Sequence, residues 1–305
     1  MPPDVTVVIP THERPEKTLR AVRSAVRQDN VALEVVVVDD ASRQPFAVPD
    51  ELLAKNVRVL RLDTNVGPAG ARNAGAAAAS APYIAFLDSD DFLLPATLAR
   101  RLGFLGSLTD ARRPTLLAAS VWRWTPDIGA REVRPVETDS IADLVSGCWY
   151  FPGSTSLMSR ATWEAVGPLD ANLRRLEDLD WGIRLGLAGG RLRVTPGPAS
   201  VIESSPAVPL ARVEAAAALI QARYGPDGEH RLDASNVSRL AAYLAVEKAR
   251  SALGERRFGA FAANLFRSFV GKPRLTLHQR RWWTSRAGRA ADLATIEALA
   301  RSLAA

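Results

Sequence analysis

The sequence predicts an α/β fold, an open and mostly parallel central sheet flanked by helices, followed by a helical C-terminal region. Two observations predict it. Over roughly the first two hundred residues, short β-branched runs alternate with segments of helical period. From about Val208 onward, Ala, Arg and Leu recur at helical spacing instead.

The runs Val5 to Ile9, Glu34 to Val38, Val57 to Leu62 and Tyr83 to Leu87 read as strands, each followed by a helix or turn. Val35 to Val38 is continuously apolar, as expected of a strand covered on both faces. Between them, Glu16 to Val26 carries Leu19, Val22 and Val26 on one helical face, and Pro68 to Ala79 is an Ala-rich helix with Pro in its first turn. Further strands are predicted at Thr115 to Val121, Arg131 to Val136 and Thr155 to Ser159, with a short helix at Ile141 to Val145, so this part is mixed. Ser159 caps a predicted helix over Ala161 to Val166 that Gly167-Pro168 ends. A helix from Glu177 to Ala188 stops at Gly189-Gly190, and Arg191 to Thr195 is the last predicted strand, with Pro196-Gly197-Pro198 as the edge of the sheet domain. Helices then follow at Leu210 to Tyr224, Ala234 to Leu253, Ala260 to Phe269 and Ala287 to Ala304. The predicted division is a sheet domain over 1–205 and a helical region over 206–305.

A chain of 305 residues can bury a full core without staples. The single cysteine, Cys148, offers neither an intramolecular bridge nor a thiolate metal site, which points to a reducing, cytoplasmic setting. The start, Met1-Pro2-Pro3-Asp4, runs straight into the first strand and predicts no export signal. No run approaches the roughly 20 apolar residues of a spanning helix. A net charge of +6 makes an anionic partner plausible without selecting one.

Four polar features fall in order, three directly after predicted strands, where open α/β sheets bind ligands. Pro10 to Pro15 and Asp39-Asp40-Ala41-Ser42 suit nucleoside contacts, a carboxylate there accepting from a pyrimidine N–H. Turn chemistry explains the same residues. Asn65 to Asn73 is a glycine-containing turn opening a helix, whose N-terminus favours anions and whose Arg72 can reach a diphosphate; a plain turn with a solvated Arg72 is the alternative. Asp88-Ser89-Asp90-Asp91 places carboxylates where a hard divalent cation could share them with substrate phosphates, or where Asp90 or Asp91 caps the next helix. Further on, Asp178 borders the apolar stripe Leu179, Ile183 and Leu187 and is placed to take a proton from an acceptor hydroxyl; complementing the helix dipole is the bland use of Glu177, Asp178 and Asp180. Most of Trp122, Trp124, Trp149, Tyr150, Phe151 and Trp181 are expected in the core. His12, His230 and His278 are too scattered for a histidine metal site.

Taken together, Val7 to His12, Val38 to Ser42, Asn65 to Asn73, Asp88 to Asp91 and Glu177-Asp178 with Trp181 and Arg184 resemble the family 2 glycosyltransferases of the inverting GT-A fold, over roughly the first two hundred residues. The resemblance implies nucleotide contacts from Thr11, His12, Glu13, Asp39 and Arg72, contact of Asp88 with the nucleotide sugar, Asp90 as ligand to Mg²⁺ or Mn²⁺, and Asp178 as the base. The donor implied is a nucleotide sugar, with UDP expected from Asp39; the acceptor, whether glycan, lipid-linked or a small molecule, is open. One departure is that Pro196 to Ala222 lacks the histidine metal ligand some relatives supply.

Two rivals stand beside this reading. A sugar nucleotidyltransferase should carry a glycine-rich basic loop after its first strand, and Pro10 to Pro15 has no glycine. A non-catalytic module would use Lys272, Arg274, Arg280, Arg281, Arg286 and Arg289 with Trp282 and Trp283 against anionic lipid or nucleic acid. For the leading reading, nucleic acid is not expected, and the inner membrane face or a second copy of the chain are the candidate partners of the C-terminal region.

Overall fold

The continuous apolar runs fold as expected, into strands buried on both faces. In the computed structural model, which describes residues 2–126, 128–203, 208–225, 228–230, 232–271 and 283–304, β1 (Val5–Thr11) lies between β2 (Leu33–Asp39) and β4 (Tyr83–Phe86), parallel to both, and β3 (Val57–Arg61) extends the parallel set beyond β2. Alternate residues of β1 and β2 serve two cores. Val5, Val7, Ile9, Val35 and Val37 meet Ala21, Val22 and Ala25 of α1 (Pro15–Val26), whereas Val8, Val36 and Val38 face Ala71 and Ala76 of α3 (Gly67–Ala78). A Cβ on Gly75 would lie 2.3 Å from Val8 Cγ1, so only glycine lets α3 settle this closely on β1. A short helix, α2 (Asp50–Leu53), precedes β3.

Beyond β4 the sheet turns mixed. The order β10-β7-β6-β8-β4-β1-β2-β3 is built from β6 (Thr115–Thr125), β7 (Gly129–Pro135), β8 (Leu157–Ser159) and β10 (Trp283–Ala287), with β5 (Phe92–Leu93) and β9 (Arg191–Glu203) joined alongside, β9 against β5 and β6. Its helices are α4 (Thr97–Gly106), α5 (Ile141–Leu144), α6 (Pro152–Thr155), α7 (Arg160–Val166) and α8 (Glu177–Leu187), and the later chain adds α9 (Leu210–Tyr224), α10 (Ala234–Gly254), α11 (Phe258–Gly271) and α12 (Ala290–Ala304).

Several element readings need correction. Pro196-Gly197-Pro198 does not end the sheet: β9 continues through it to Glu203, and register shifts on either side of Ser120 skip Pro196, Gly197 and Ala199. Thr155 belongs to α6, with the strand confined to Leu157–Ser159. The helix after the Asp88 to Asp91 turn starts only at Thr97, beyond β5, so neither Asp90 nor Asp91 caps it, and Leu98, Leu102 and Leu105 form its apolar face. Ala287 ends a strand instead of starting a helix, because Trp283–Ala287 pairs antiparallel with Arg131 to Pro135 of β7. The residues after 205 therefore contribute a strand to the sheet, and Ile296, Ala300 and Leu303 of α12 bury Trp122 and Trp124.

Candidate active site

The register Thr11↔Asp39 and the parallel pairing of β1 with β4 bring Thr11, Asp39 and the Asp88 to Asp91 turn to one edge of the sheet. The polar ends of three strands thus meet where the sequence placed them. What each does there differs.

Thr11 is buried and bonds Thr18 Oγ1 at 2.5 Å, fixing the start of α1. The loop beyond it is laced to the next: His12 Nδ1 lies 2.9 Å from the Asp40 carbonyl, Glu13 N donates to Ser42 Oγ at 3.0 Å, and Glu13 Oε1 accepts from Arg43 N at 2.7 Å. Asp39 is fully buried. Its carboxylate accepts from Ser42 N and Phe46 N, both at 3.0 Å, and from Arg61 Nη1 at 2.5 Å. Burial alone would raise this carboxyl, but those hydrogen bonds hold it below the usual carboxylate range. In this arrangement Asp39 faces the Ser42 to Phe46 loop, so touching a base directly requires that loop to open.

The N-terminus of α3 does hold an anion, but one of the chain's own. Asp40 accepts from Val66 N at 2.7 Å and Gly67 N at 2.8 Å. Two N–H groups of this turn, those of Val66 and Gly67, are thus already taken by Asp40. Arg72, one turn on, is instead buried beneath the site. Its guanidinium reaches Asp88 Oδ1 at 2.6 Å and Glu177 Oε1 at 3.2 Å. Burial disfavours its charge, yet Asp88, Asp178 and Glu177 together hold it more firmly protonated than an ordinary arginine. Asn73 next door bonds both the N–H and the carbonyl of Leu169, at 2.9 and 2.7 Å, and so staples the loop that leads into α8 onto α3. Its sequence position gave no hint of that partner.

The Asp88 to Asp91 turn divides its carboxylates. Asp88 and Asp90 are partly exposed, whereas Asp91 is buried, accepting from Glu203 N at 3.0 Å and from Ser154 Oγ. Asp90 pairs with Arg14 at 2.7 Å, and its carbonyl accepts from Arg20. A Cβ on Gly153 would stand 2.1 Å from Asp88 Oδ2, so a larger residue there would push this carboxylate aside. Ligand atoms of Asp88, Asp90 and Asp91 all lie within 4.8 Å of one another. Hard oxygen donors in that number fit Mg²⁺ or Mn²⁺, and of the three Asp88 and Asp90 are the ones partly exposed. Ser154, Gly153 and Glu203 were not legible as site residues, because nothing local ties them to the turn.

Asp178 opens α8 beside this group. Burial and the adjacent Glu177 push its carboxyl up to about 7, Asp88 adding to them while Arg72 and Arg175 pull it back. Tyr150 Oη donates to its backbone carbonyl at 3.3 Å. Asp180, by contrast, is wholly structural: it is fully buried and accepts from Arg184 at 3.0 Å, Arg223 at 2.7 Å and Tyr224 Oη at 2.8 Å, tying α8 to α9. The aromatics pack as expected, with Trp149, Tyr150 and Trp181 buried in the main core.

Residues 6–111 match the glycosyl transferase family 2 model. Succinoglycan biosynthesis protein ExoO of Rhizobium meliloti is 45% identical over 105 residues, 33% of this chain and 29% of that protein. Pre-mycofactocin glycosyltransferase of Mycobacterium tuberculosis is 31% identical over 205 residues, 63% of this chain and 41% of that protein. The chain thus spans well under half the length of either. Among solved structures, S. aureus TarS 1-349 in complex with UDP superposes with a TM-score of 0.57 at 19% identity, covering 98% of this chain and 90% of that one, and its complex with UDP-GlcNAc gives 0.55 at 18%, covering 98% and 91%. Residues 6–111 are thus similar to the glycosyl transferase family 2 model, and the chain as a whole shares the α/β fold of the TarS structures.

Proposed function

We propose that the chain is an inverting glycosyltransferase that moves a sugar from a UDP-sugar to an acceptor hydroxyl, with Asp178 as general base and a divalent cation at Asp90. The observation that carries this reading is the buried Arg72 bridge. It ties Asp88, at the end of β4, to Glu177 on α8, and so sets the carboxylates suited to a donor diphosphate beside the one suited to take a proton. The nucleotide complexes of TarS, on the same fold, support UDP as the nucleotide.

In this mechanism the acceptor hydroxyl enters opposite the leaving diphosphate. Its oxygen bonds the anomeric carbon, its proton passes to an Asp178 carboxylate oxygen, and the bond from that carbon to the diphosphate oxygen breaks through an oxocarbenium-like transition state. Mg²⁺ or Mn²⁺, when held by Asp90 with Asp88 beside it, supplies positive charge to the diphosphate. Arg72 keeps Asp88 and Glu177 neutralised and oriented from below. Thr11, His12 and Glu13 shape the nucleoside side through the hydrogen bonds that join the two loops, and Asp39 shapes it by holding the loop up to Phe46. We assign catalysis to 1–205 and acceptor-side contacts to 206–305, where Tyr243 Oη of α10 accepts from Cys148 N at 3.4 Å behind Tyr150.

The divided turn yields the experiment. In a UDP-release assay with Mn²⁺, Asp90→Ala should lower metal-dependent donor turnover by more than about 10-fold, an effect seen even for outer-shell changes at metal sites. Asp91→Ala should act first on stability, by about 1–3 kcal/mol in denaturant, because it leaves Ser154 Oγ and Glu203 N without their buried acceptor. An Asp91→Ala protein of unaltered stability that had lost its metal dependence would move the ligand assignment by one residue.

A further inference from the structure

α11 is built with its polarity reversed. The side chains it buries are Asn264 and Ser268, while Phe258 (64% exposed), Phe266 (68%), Phe269 (48%), Val270 (63%) and Leu265 turn outward. At 100° per residue these five, with Ala262 and Ala263, fill an arc of about 160° that holds no charged residue. Scattered exposed apolar residues are ordinary, but a contiguous apolar helix face marks a contact surface.

Charge says what covers it. From Lys248 to Arg289 the sequence holds eleven Lys and Arg against one acidic residue, Glu255; this excess of ten is larger than the +6 of the whole chain, so the rest of the chain is net acidic. Arg256 and Arg257 stand at the start of α11, and Arg267 lies at the border of its apolar arc. Beside the arc, Lys248 and Arg267 line a groove of about 220 Å³ between α9, α10 and α11, together with Gln221, Ser238 and Asn264. Neither Lys248 nor Arg267 forms an ion pair among the described residues. An apolar strip bordered by Arg256, Arg257 and Arg267, of which Arg257 alone meets a carboxylate among the described residues, Glu255 at 3.8 Å, is the pattern of a helix that lies in the interface plane of an anionic bilayer. A second copy of the chain suits it less. A 14-residue helix offers a strip about 21 Å long and roughly 10–12 Å across, far below the ~800 Å² per partner of a stable interface. A two-fold contact centred on it would also set like arginines against each other.

We propose that α11 docks the protein on an anionic membrane surface, its phenylalanines entering the acyl boundary and the Lys248–Arg267 groove receiving a lipid phosphate. No helix among the described residues is long and apolar enough to cross a membrane, so this is attachment at the surface. The docking rests on the surface of α11 alone and stands or falls separately from the transferase reading.

The test is flotation of the full chain with vesicles of phosphatidylcholine, or of phosphatidylcholine with phosphatidylglycerol, and needs neither donor nor acceptor. The expected result is at least about tenfold greater partitioning onto the anionic vesicles, weakened when salt rises from roughly 0.1 M to 1 M. Phe266→Ser with Phe269→Ser should lower it about tenfold or more at an unchanged melting temperature, since both rings are exposed, and Lys248→Glu with Arg267→Glu should remove the preference for anionic lipid. Wild-type protein that stays with the unbound fraction, or serine variants that float as well as wild type, would overturn the proposal. So would light scattering that showed a dimer without lipid, converted to monomer by the serine variants, because a second copy would then be the occupant.

Discussion

Asp178→Asn is expected to lose about 10² to 10⁴ in turnover while binding UDP and Mn²⁺ nearly as well as wild type, because general base catalysis supplies a factor of that size. The substitution keeps the shape and the backbone bond from Tyr150 but removes the basic oxygen. The carboxyl must be unprotonated to accept a proton, so kcat/KM of the wild type should rise with pH through about 7, the position to which burial and Glu177 push it. Glu177→Gln removes the neighbouring negative charge and should move that limb to lower pH. Stability gives the same group a second readout. A carboxyl raised from an ordinary 3.8 to about 7 leaves the folded state holding more protons than the unfolded one between those values, so stability falls as pH rises through that window. Asp178→Asn should therefore melt above the wild type at pH 8 and lose that advantage below pH 4. If Glu177→Gln abolishes transfer while Asp178→Asn retains it, the base is Glu177.

The largest stability effect is expected of Arg72. Replacing it with Met leaves Asp88 and Glu177 without their shared buried cation and Asp178 with Arg175 as its remaining attractive neighbour, and breaking a buried pair in this way typically costs about 3–5 kcal/mol. Denaturant unfolding measures it. Arg72→Met combined with Glu177→Gln should recover part of the loss, since one of the stranded charges is then gone, and non-additivity is the signature of a direct contact. A loss below about 1 kcal/mol, or strict additivity, would show that the three side chains do not act as a unit.

Much of this site was legible because three of its polar features directly follow strands whose apolar runs are unmistakable. Val35 to Val38 announces β2, and Asp39 and Asp40 must then sit at its carboxyl end. What the carboxylates do was not legible. Asp39, Asp40 and Asp91 are adjacent to the exposed candidates but turn inward, onto the Ser42 to Phe46 loop, the N-terminus of α3 and Ser154 respectively. That choice depends on which long-range donors arrive, and Ser154 or Glu203 cannot be paired with Asp91 from local sequence. Similarly, β9 passes through Pro196 and Pro198 because β6 runs alongside it for its whole length, a tertiary support that overrides the local turn signal. The strand Trp283–Ala287 was masked by short length and by the arginines around it, and only its pairing with β7 defines it.

The central claim, a metal-assisted site for a uridine nucleotide at this sheet edge, is tested most directly by titration calorimetry of UDP, ADP, GDP and CDP with and without Mn²⁺, on wild type, Asp39→Ala and Asp90→Ala. Wild type should bind UDP more tightly than the other three and more tightly with Mn²⁺ than without. Asp90→Ala should lose the gain from Mn²⁺, because the cation loses its carboxylate. Asp39→Ala should lose the preference for UDP, because the loop from Ser42 to Phe46 loses the acceptor that holds it. Equal affinity for all four nucleotides in all three proteins, unchanged by Mn²⁺, would contradict the account.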